Sequence, residues 1–159
     1  MKRIEFAIKM EQDGERYYRE QAAKHHGLEP VFLMLAEDER SHAAVLMRRV
    51  ENASYELDDN DILTDARNVF HGKTDFKMEI KPEPEQIDLY RAGMEMEKES
   101  IALYSELLAA ATEDSDKELF GFLVKEEKAH HAILEELVIL INRPNEWVES
   151  AEFGLREEY

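Results

Sequence analysis

The sequence predicts an all-α protein, namely a four-helix bundle with a long crossover between its second and third helices and a short C-terminal tail. Four long stretches carry apolar or small residues at steps of three and four, which is the spacing of one helical face. No stretch shows the alternating pattern of a β-strand. The two halves of the chain also repeat each other, which predicts that each half forms one helical hairpin.

Turn-forming residues bound the four predicted helices. The segment HGLEP breaks the chain after the first helix, and Pro30 fits the first turn of the second. The Ser-x-x-Glu spacing of Ser115 and Glu118 is a capping box that starts the fourth helix, and Arg143-Pro144 ends it. We predict a single domain over 1–159, with helices over 3–26, 31–53, 85–111 and 116–142 and a tail over 143–159.

The crossover and the tail differ in composition from the helices. The crossover, residues 54–83, contains an acidic run at 58–61, and residues 62–70 could form a short helix inside it. We interpret the acidic run as a solvated loop, with a weak cation site as the alternative reading. The tail carries Trp147 and Phe153 and is expected to pack on the bundle or on a second subunit.

The composition excludes several classes of function. The 37 acidic residues outnumber the 20 basic ones, and the net charge of -17 argues against nucleic acid or an anionic membrane as a partner. The absence of cysteine excludes disulfides, thiolate nucleophiles and cysteine-ligated metals within these residues. The amino terminus is charged too early for a secretion signal, and the longest apolar run, 137–141, is much shorter than a membrane span. We therefore expect a cytoplasmic protein.

Two phrases of the sequence occur twice. EDERSHAAVL at 37–46 returns as KEEKAHHAIL at 125–134, and MEQDGERYY at 10–18 returns as MEKESIALY at 96–104. Each phrase places one glutamate on a largely apolar helical face, without Lys or Arg at the neighbouring positions of that face. An unpaired buried carboxylate costs several kcal/mol, so the four glutamates must be protonated, paired with cations, or exposed after all. Because Lys and Arg are missing from their neighbours, bound metal is the candidate that we favour.

The spacing of histidines supports a metal site. His42 and His130 each follow a glutamate by three residues, so Glu39 with His42 and Glu127 with His130 would each share one ion. Glutamates of the other two helices would reach across the bundle as bridging or terminal ligands. Four ionised glutamates and two neutral histidines carry a charge that two divalent cations cancel. The predicted ligands are Glu11, Glu39, His42, Glu97, Glu127 and His130.

The two E-x-x-H phrases and the two glutamates followed by tyrosine seven residues later resemble the rubrerythrin branch of the ferritin-like superfamily, over roughly residues 3 to 142. Ferritin-like dimetal carboxylate proteins use one glutamate from each of two helices and one Glu-x-x-His from each of the others. The resemblance implies a ferritin-like bundle that binds two irons and reacts with hydrogen peroxide or dioxygen. The ligand types also suit manganese or a mixed iron and manganese pair. The tyrosines, Tyr18 and Tyr104, are predicted to hydrogen-bond ligating carboxylates across the bundle.

Two departures from the family pattern affect this interpretation. Rubrerythrins proper carry a rubredoxin domain whose iron is held by four cysteines, and this sequence has none, so electrons are expected from a separate rubredoxin-like protein or a small reductant. Met94 stands where the family tends to carry an additional glutamate, one turn before Glu97. Related proteins suggest a homodimer or a larger homo-oligomer.

Several alternatives remain open from the sequence. The same site would serve a ferroxidase that feeds iron storage, and a bundle with structural metal or no metal could act as an interaction module. His131 lies four residues after Glu127 and competes with His130 as a ligand. Its equivalent in the repeat is Ala43, so we leave His131 out of the predicted ligand set.

Overall fold

The computed structural model describes the backbone of residues 2–72 and 84–153 and the side chains of residues 2–25, 27–71 and 85–142. Within this part of the chain the secondary structure is helical, and no β-strand is present, which confirms the predicted fold class. A one-turn 3₁₀ helix, His26–Leu28, joins the first two α-helices. The α-helices are α1 (Lys2–Lys24), α2 (Glu29–Val50), α3 (Ile62–Gly72), α4 (Pro84–Ala110) and α5 (Asp114–Phe153).

The bundle consists of two helical hairpins. Helix α1 packs along α2, and α4 packs along α5, so each half of the sequence repeat forms one hairpin as predicted. Helix α3 lies in the crossover and contacts α5 and α2. It buries Ile62, Ala66 and Phe70, which recur every four residues on one face. The short helix expected over 62–70 is therefore present.

Helix α5 is longer than predicted at both ends. It begins at Asp114, so Ser115 lies inside its first turn, and it continues through Arg143-Pro144 to Phe153. Proline removes one backbone hydrogen bond from a helix, which is why it predicted the end of α5. Its fixed φ of about −65° is nevertheless a helical value, so the chain can continue beyond it. The predicted tail is helical up to Phe153, and the packing expected of Trp147 and Phe153 lies outside the described side chains.

The core contains two apolar clusters. The Tyr90 cluster is built around Tyr18, Leu28, Phe32, Tyr90, Leu134 and Leu137. The Tyr104 cluster is built around Ile4, Ala7, Leu46, Tyr104, Leu119 and Leu123. Along α1, Glu11 lies between Ala7 of one cluster and Tyr18 of the other, and the remaining long helices place a glutamate between the clusters in the same way. The fold therefore holds a polar layer between two apolar ones.

None of the helices in the described residues is long and apolar enough to cross a membrane.

Candidate metal centre

Each long helix of the bundle contributes one glutamate to the polar layer, and two of the helices add a histidine. All six predicted ligands are buried, with exposed fractions between 0% for Glu127 and His130 and 3% for Glu39. Ionised groups at this depth are stable only when opposite charges or hydrogen bonds compensate the loss of water. The arrangement of these side chains therefore determines what the layer can bind.

The six predicted ligands form two overlapping sets that share Glu127. Within each set, one nitrogen or oxygen atom from every residue lies within 4.8 Å of the others. This is the spacing expected of atoms that surround one cation. The first set is Glu39, Glu97, Glu127 and His130, and the second set is Glu11, His42 and Glu127.

The two histidines direct their Nδ1 atoms into these sets. His130 Nδ1 lies 2.9 Å from Glu39 Oε1, 3.1 Å from Glu127 Oε2 and 3.4 Å from Glu97 Oε2. His42 Nδ1 lies 3.4 Å from Glu11 Oε1. The sequence predicted that Glu39 and His42 would share one ion. In the structure they belong to different sets, because the Glu39 carboxylate reaches across to His130 on α5. The imidazole rings of His42 and His130 are stacked with their centroids 5.7 Å apart.

The predicted hydrogen bonds from tyrosine to glutamate cross the bundle in both directions. Tyr104 Oη donates to Glu11 Oε2 at 2.6 Å, and Tyr18 Oη donates to Glu97 Oε2. Burial, followed by the negative charge of the neighbouring carboxylates, raises the pKa of both tyrosines well above 10. The hydroxyl groups therefore stay protonated, and each holds one carboxylate in a fixed orientation.

Several buried polar atoms of the layer have no hydrogen-bond partner among the described residues. These include Glu11 Oε1, His42 Nδ1 and both carboxylate oxygens of Glu127. Buried polar atoms in native proteins are nearly always satisfied, so this group of atoms is suited to binding a cation. Carboxylate oxygen and imidazole nitrogen suit divalent iron, manganese or zinc. The residues present therefore fit a pair of divalent metal ions.

Two buried acids of the layer were not in the predicted set. Asp38 Oδ2 lies 2.8 Å from His130 Nε2, and Glu126 Oε1 lies 3.7 Å from His42 Nε2. Helical periodicity does not separate them from their neighbours Glu39 and Glu127, because α2 and α5 are apolar over wide arcs. The repeat could have revealed these two acids, because each immediately precedes the glutamate of an E-x-x-H phrase. His131 belongs to none of the ligand sets in the described residues.

Comparison with protein families identifies the chain. The rubrerythrin family model matches residues 2–138, which include every residue of both ligand sets. The chain belongs to the rubrerythrin family. Comparisons with curated proteins and with solved structures gave no match. Membership of this family and the buried layer of carboxylates and histidines together indicate a dimetal carboxylate protein.

Burial and neighbouring charges shift the pKa values of the ligands of this rubrerythrin-family chain. Burial and the charges of Glu11 and the other carboxylates raise the pKa of Glu39 and Glu127 well above 4.5. Burial opposes protonation of His42 and His130, but the adjacent carboxylates outweigh it and raise the pKa of both well above 6.5. Burial also opposes ionisation of Glu11, yet its hydrogen bond with Glu39 and the charge of His42 lower its pKa to about 2. Metal ions therefore compete with protons for the same side chains.

We expect opposite effects of pH on the metal-free and the metal-loaded rubrerythrin-family protein. The folded protein raises the pKa of His42 and His130, so protonation of these histidines stabilises the metal-free fold. This stabilisation is complete below pH 6.5 and is lost as the pH rises through the folded-state pKa. Metal binding requires deprotonated ligands and therefore strengthens as the pH rises. Melting temperatures measured with and without Zn²⁺ between about pH 6 and about pH 9 should diverge, with the metal-free value falling. A zinc-induced increase that shrinks with pH would contradict the expectation.

Gly14 of α1 leaves room for the Glu39 carboxylate. A Cβ atom on Gly14 would lie 2.8 Å from Glu39 Oε2 and 3.1 Å from its Cδ, which is closer than side-chain atoms normally approach. A larger residue would therefore displace the carboxylate from the first ligand set of this rubrerythrin-family centre. Glycine inside a helix costs about 1 kcal/mol relative to alanine, so its presence in α1 has a structural reason.

Replacing Gly14 by alanine is expected to weaken metal binding while leaving the stability of the metal-free protein almost unchanged. The gain in helix propensity offsets the displacement of Glu39, so the free energy of unfolding of the metal-free protein should change by less than about 1 kcal/mol. Metal affinity should fall about tenfold or more because a ligand has moved. Gly121→Ala is the matched control, since a Cβ atom there meets nothing within 4 Å. Equal affinities of the two variants in a Zn²⁺ competition assay would refute the expected role of Gly14.

Proposed function

We propose that the chain is a diiron oxidoreductase that reduces hydrogen peroxide or dioxygen. The observation that supports this most strongly is the pair of ligand sets that share Glu127 in a layer closed on both sides by apolar clusters. Iron is favoured among divalent metals because carboxylate and imidazole ligands suit Fe(II) and because family membership points to redox chemistry. Manganese or a mixed pair would occupy the same ligands.

The two ligand sets would hold one ion each. Glu39, Glu97 and His130 belong to one position, Glu11 and His42 belong to the other, and Glu127 is common to both. The four carboxylates would carry a charge of -4 when ionised, which two divalent cations cancel. This neutralisation would offset the penalty of the buried charge, and for this reason we expect two ions rather than one.

The residues around these ligands would hold them in place. Asp38 accepts a hydrogen bond from His130 Nε2, which leaves the Nδ1 atom of His130 directed at the ligand set. Tyr18 and Tyr104 hold the carboxylates of Glu97 and Glu11. Two ferrous ions would supply the two electrons that the conversion of hydrogen peroxide and two protons into two water molecules requires. The apolar clusters limit access of bulk water to the layer.

We further propose that the reducing electrons come from outside these residues. The 159 residues contain no cysteine, and a rubredoxin-type iron site needs four. A separate rubredoxin-like protein or a small reductant would therefore restore the ferrous state after each turnover. Mixing the oxidised protein with reduced rubredoxin and following the absorption of both partners would measure this reaction directly.

Anaerobic titration with Fe(II) tests the proposed function. The metal-free protein should saturate at about two ions per chain, and the oxidised iron centre should bleach with reductant and recover its absorption with hydrogen peroxide. Continued uptake of many more irons in air would instead support a ferroxidase that feeds iron storage. No stoichiometric binding, together with a melting temperature that does not respond to iron, manganese or zinc, would support a bundle that functions without metal.

A further inference from the structure

We propose that Asp38, Glu126 and His42 form an outer site for a divalent cation, through which ions pass between the protein surface and the inner ligand sets. This proposal rests on the proposed function, because it assigns an entry route to ions that the inner residues bind. Neither the predicted ligand set nor the roles described above use Glu126. The outer site would be transiently occupied during metal loading and metal release.

The geometry of the three residues supports a cation site. One oxygen from Asp38, one from Glu126 and one nitrogen from His42 lie within 4.8 Å of one another. The exposed fractions of Asp38, Glu126 and His42 are 6%, 2% and 2%. Glu126 Oε1 is buried, lies 3.7 Å from His42 Nε2 and has no hydrogen-bond partner among the described residues. A cation would satisfy such an unpartnered carboxylate oxygen, which is nearly fully buried close to a second acid and a histidine.

His42 belongs to both the inner and the outer site. Its Nδ1 atom lies 3.4 Å from Glu11 Oε1 of the inner set, and its Nε2 atom faces Glu126. A neutral imidazole has one nitrogen with a free lone pair, because the other carries the hydrogen. His42 can therefore bind an ion through only one of its two ring nitrogens at a time. This competition explains why the outer ion would be held only until the inner position fills.

An acidic surface pocket adjoins the outer site at Asp38. It has a volume of about 270 Å³, and its lining includes Asp38, Glu37, Asp58 and Asp65. Arg40, also in the lining, is paired with Glu37. The pocket thus carries four carboxylates against one arginine, and such a concave surface with a net negative charge raises the local concentration of cations. The side chain of Asn60 donates to Asp38 Oδ1 at 2.9 Å and holds this carboxylate at the inner end of the pocket.

The simplest alternative is that the two acids only orient the histidines. Asp38 fits that role, because it accepts a hydrogen bond from His130. Glu126 fits it less well, because 3.7 Å from His42 Nε2 is too long for a hydrogen bond. The two roles predict different kinetics. Loss of a holding site on the route slows both entry and exit of ions, whereas loss of an orienting contact weakens the inner site and accelerates exit.

The test compares the rates of Co²⁺ loading and release in the wild-type protein and in Glu126→Gln. Stopped-flow absorption of bound Co²⁺ reports loading, and mixing the loaded protein with EDTA reports release. We expect both rates to fall by about tenfold in Glu126→Gln. Glu20→Gln is the matched control, because it removes the same charge from an exposed position of α1 and should leave both rates unchanged. Unchanged loading, or faster release, in Glu126→Gln would overturn the proposal.

A second variant keeps the proposal testable if Glu126→Gln does not fold. Asp58 and Asp65 are exposed in the pocket, so the double variant Asp58→Asn with Asp65→Asn should fold, and it should load Co²⁺ several times more slowly at low salt. Loading at the wild-type rate would count against the route.

The proposed function and the proposed outer site fail in different ways. A wild-type protein that binds no Co²⁺ would remove the proposed function, whereas normal binding of two ions with unchanged variant kinetics would remove only the outer site.

Discussion

Replacing Glu127 by glutamine is expected to remove tight binding at both metal positions. Glu127 is fully buried and is the single residue common to the two ligand sets. Glutamine keeps the size of the side chain but removes the negative charge and one acceptor oxygen. We expect the affinity for each ion to fall at least about 100-fold, which corresponds to roughly 2.7 kcal/mol for each ion.

Equilibrium dialysis with Zn²⁺ or Co²⁺ measures this loss. Glu135→Gln, at an exposed position of the same helix, is the matched control and should bind two ions normally. The metal-free Glu127→Gln protein should be at least as stable as the wild-type protein, because the variant removes an acid whose ionisation is opposed by burial and then by the charges of Glu11 and Glu97. Retention of two ions with affinities within tenfold of the wild-type values would show that the shared position of Glu127 is unimportant.

Replacing Phe32 by alanine is expected to give the largest loss of stability. Phe32 is 0% exposed in the Tyr90 cluster, where its ring centroid lies 5.5 Å from that of Tyr90 and 6.3 Å from that of Tyr18. Truncation removes these contacts and leaves a cavity. A buried phenylalanine replaced by alanine typically costs about 3 to 5 kcal/mol, and we expect a value in this range.

Phe6 supplies a control with the same chemical change. Its side chain is 57% exposed on α1, so Phe6→Ala should cost less than about 1 kcal/mol. Urea denaturation of both variants in the absence of metal measures the difference. A loss for Phe32→Ala no larger than that for Phe6→Ala would mean that the Tyr90 cluster does not support the fold as described.

Much of the fold could be predicted from local pattern. The periodic apolar residues placed four long helices within a few residues of their observed positions, and the internal repeat predicted the two hairpins. The predicted end of α5 was wrong, because Pro144 was taken to terminate the helix although the backbone conformation of proline is compatible with a helix. Local sequence reports propensity, and tertiary contacts along a helix can override one unfavourable residue.

The candidate site was also largely predictable, because its residues occur twice in equivalent phrases. The repeat and the E-x-x-H spacing selected six side chains that the fold brings together in one buried layer. Asp38 and Glu126 were not among the predicted ligands, although they are nearly as buried as Glu39 and Glu127. Two adjacent residues on a helix differ by only about 100° in direction, so both can face inward when the apolar arc is wide.

The sequence alone determined which helices form, which of their faces point inward and which chemical groups those faces carry, because these properties depend on residues only a few positions apart. Only the tertiary structure decided that Glu39 meets His130 rather than His42, that both ligand sets share Glu127, and that Asp38 and Glu126 come together beside His42. These relations join residues on different helices. They depend on how far each helix is shifted and rotated against its neighbours, and side-chain packing across the whole bundle sets that shift.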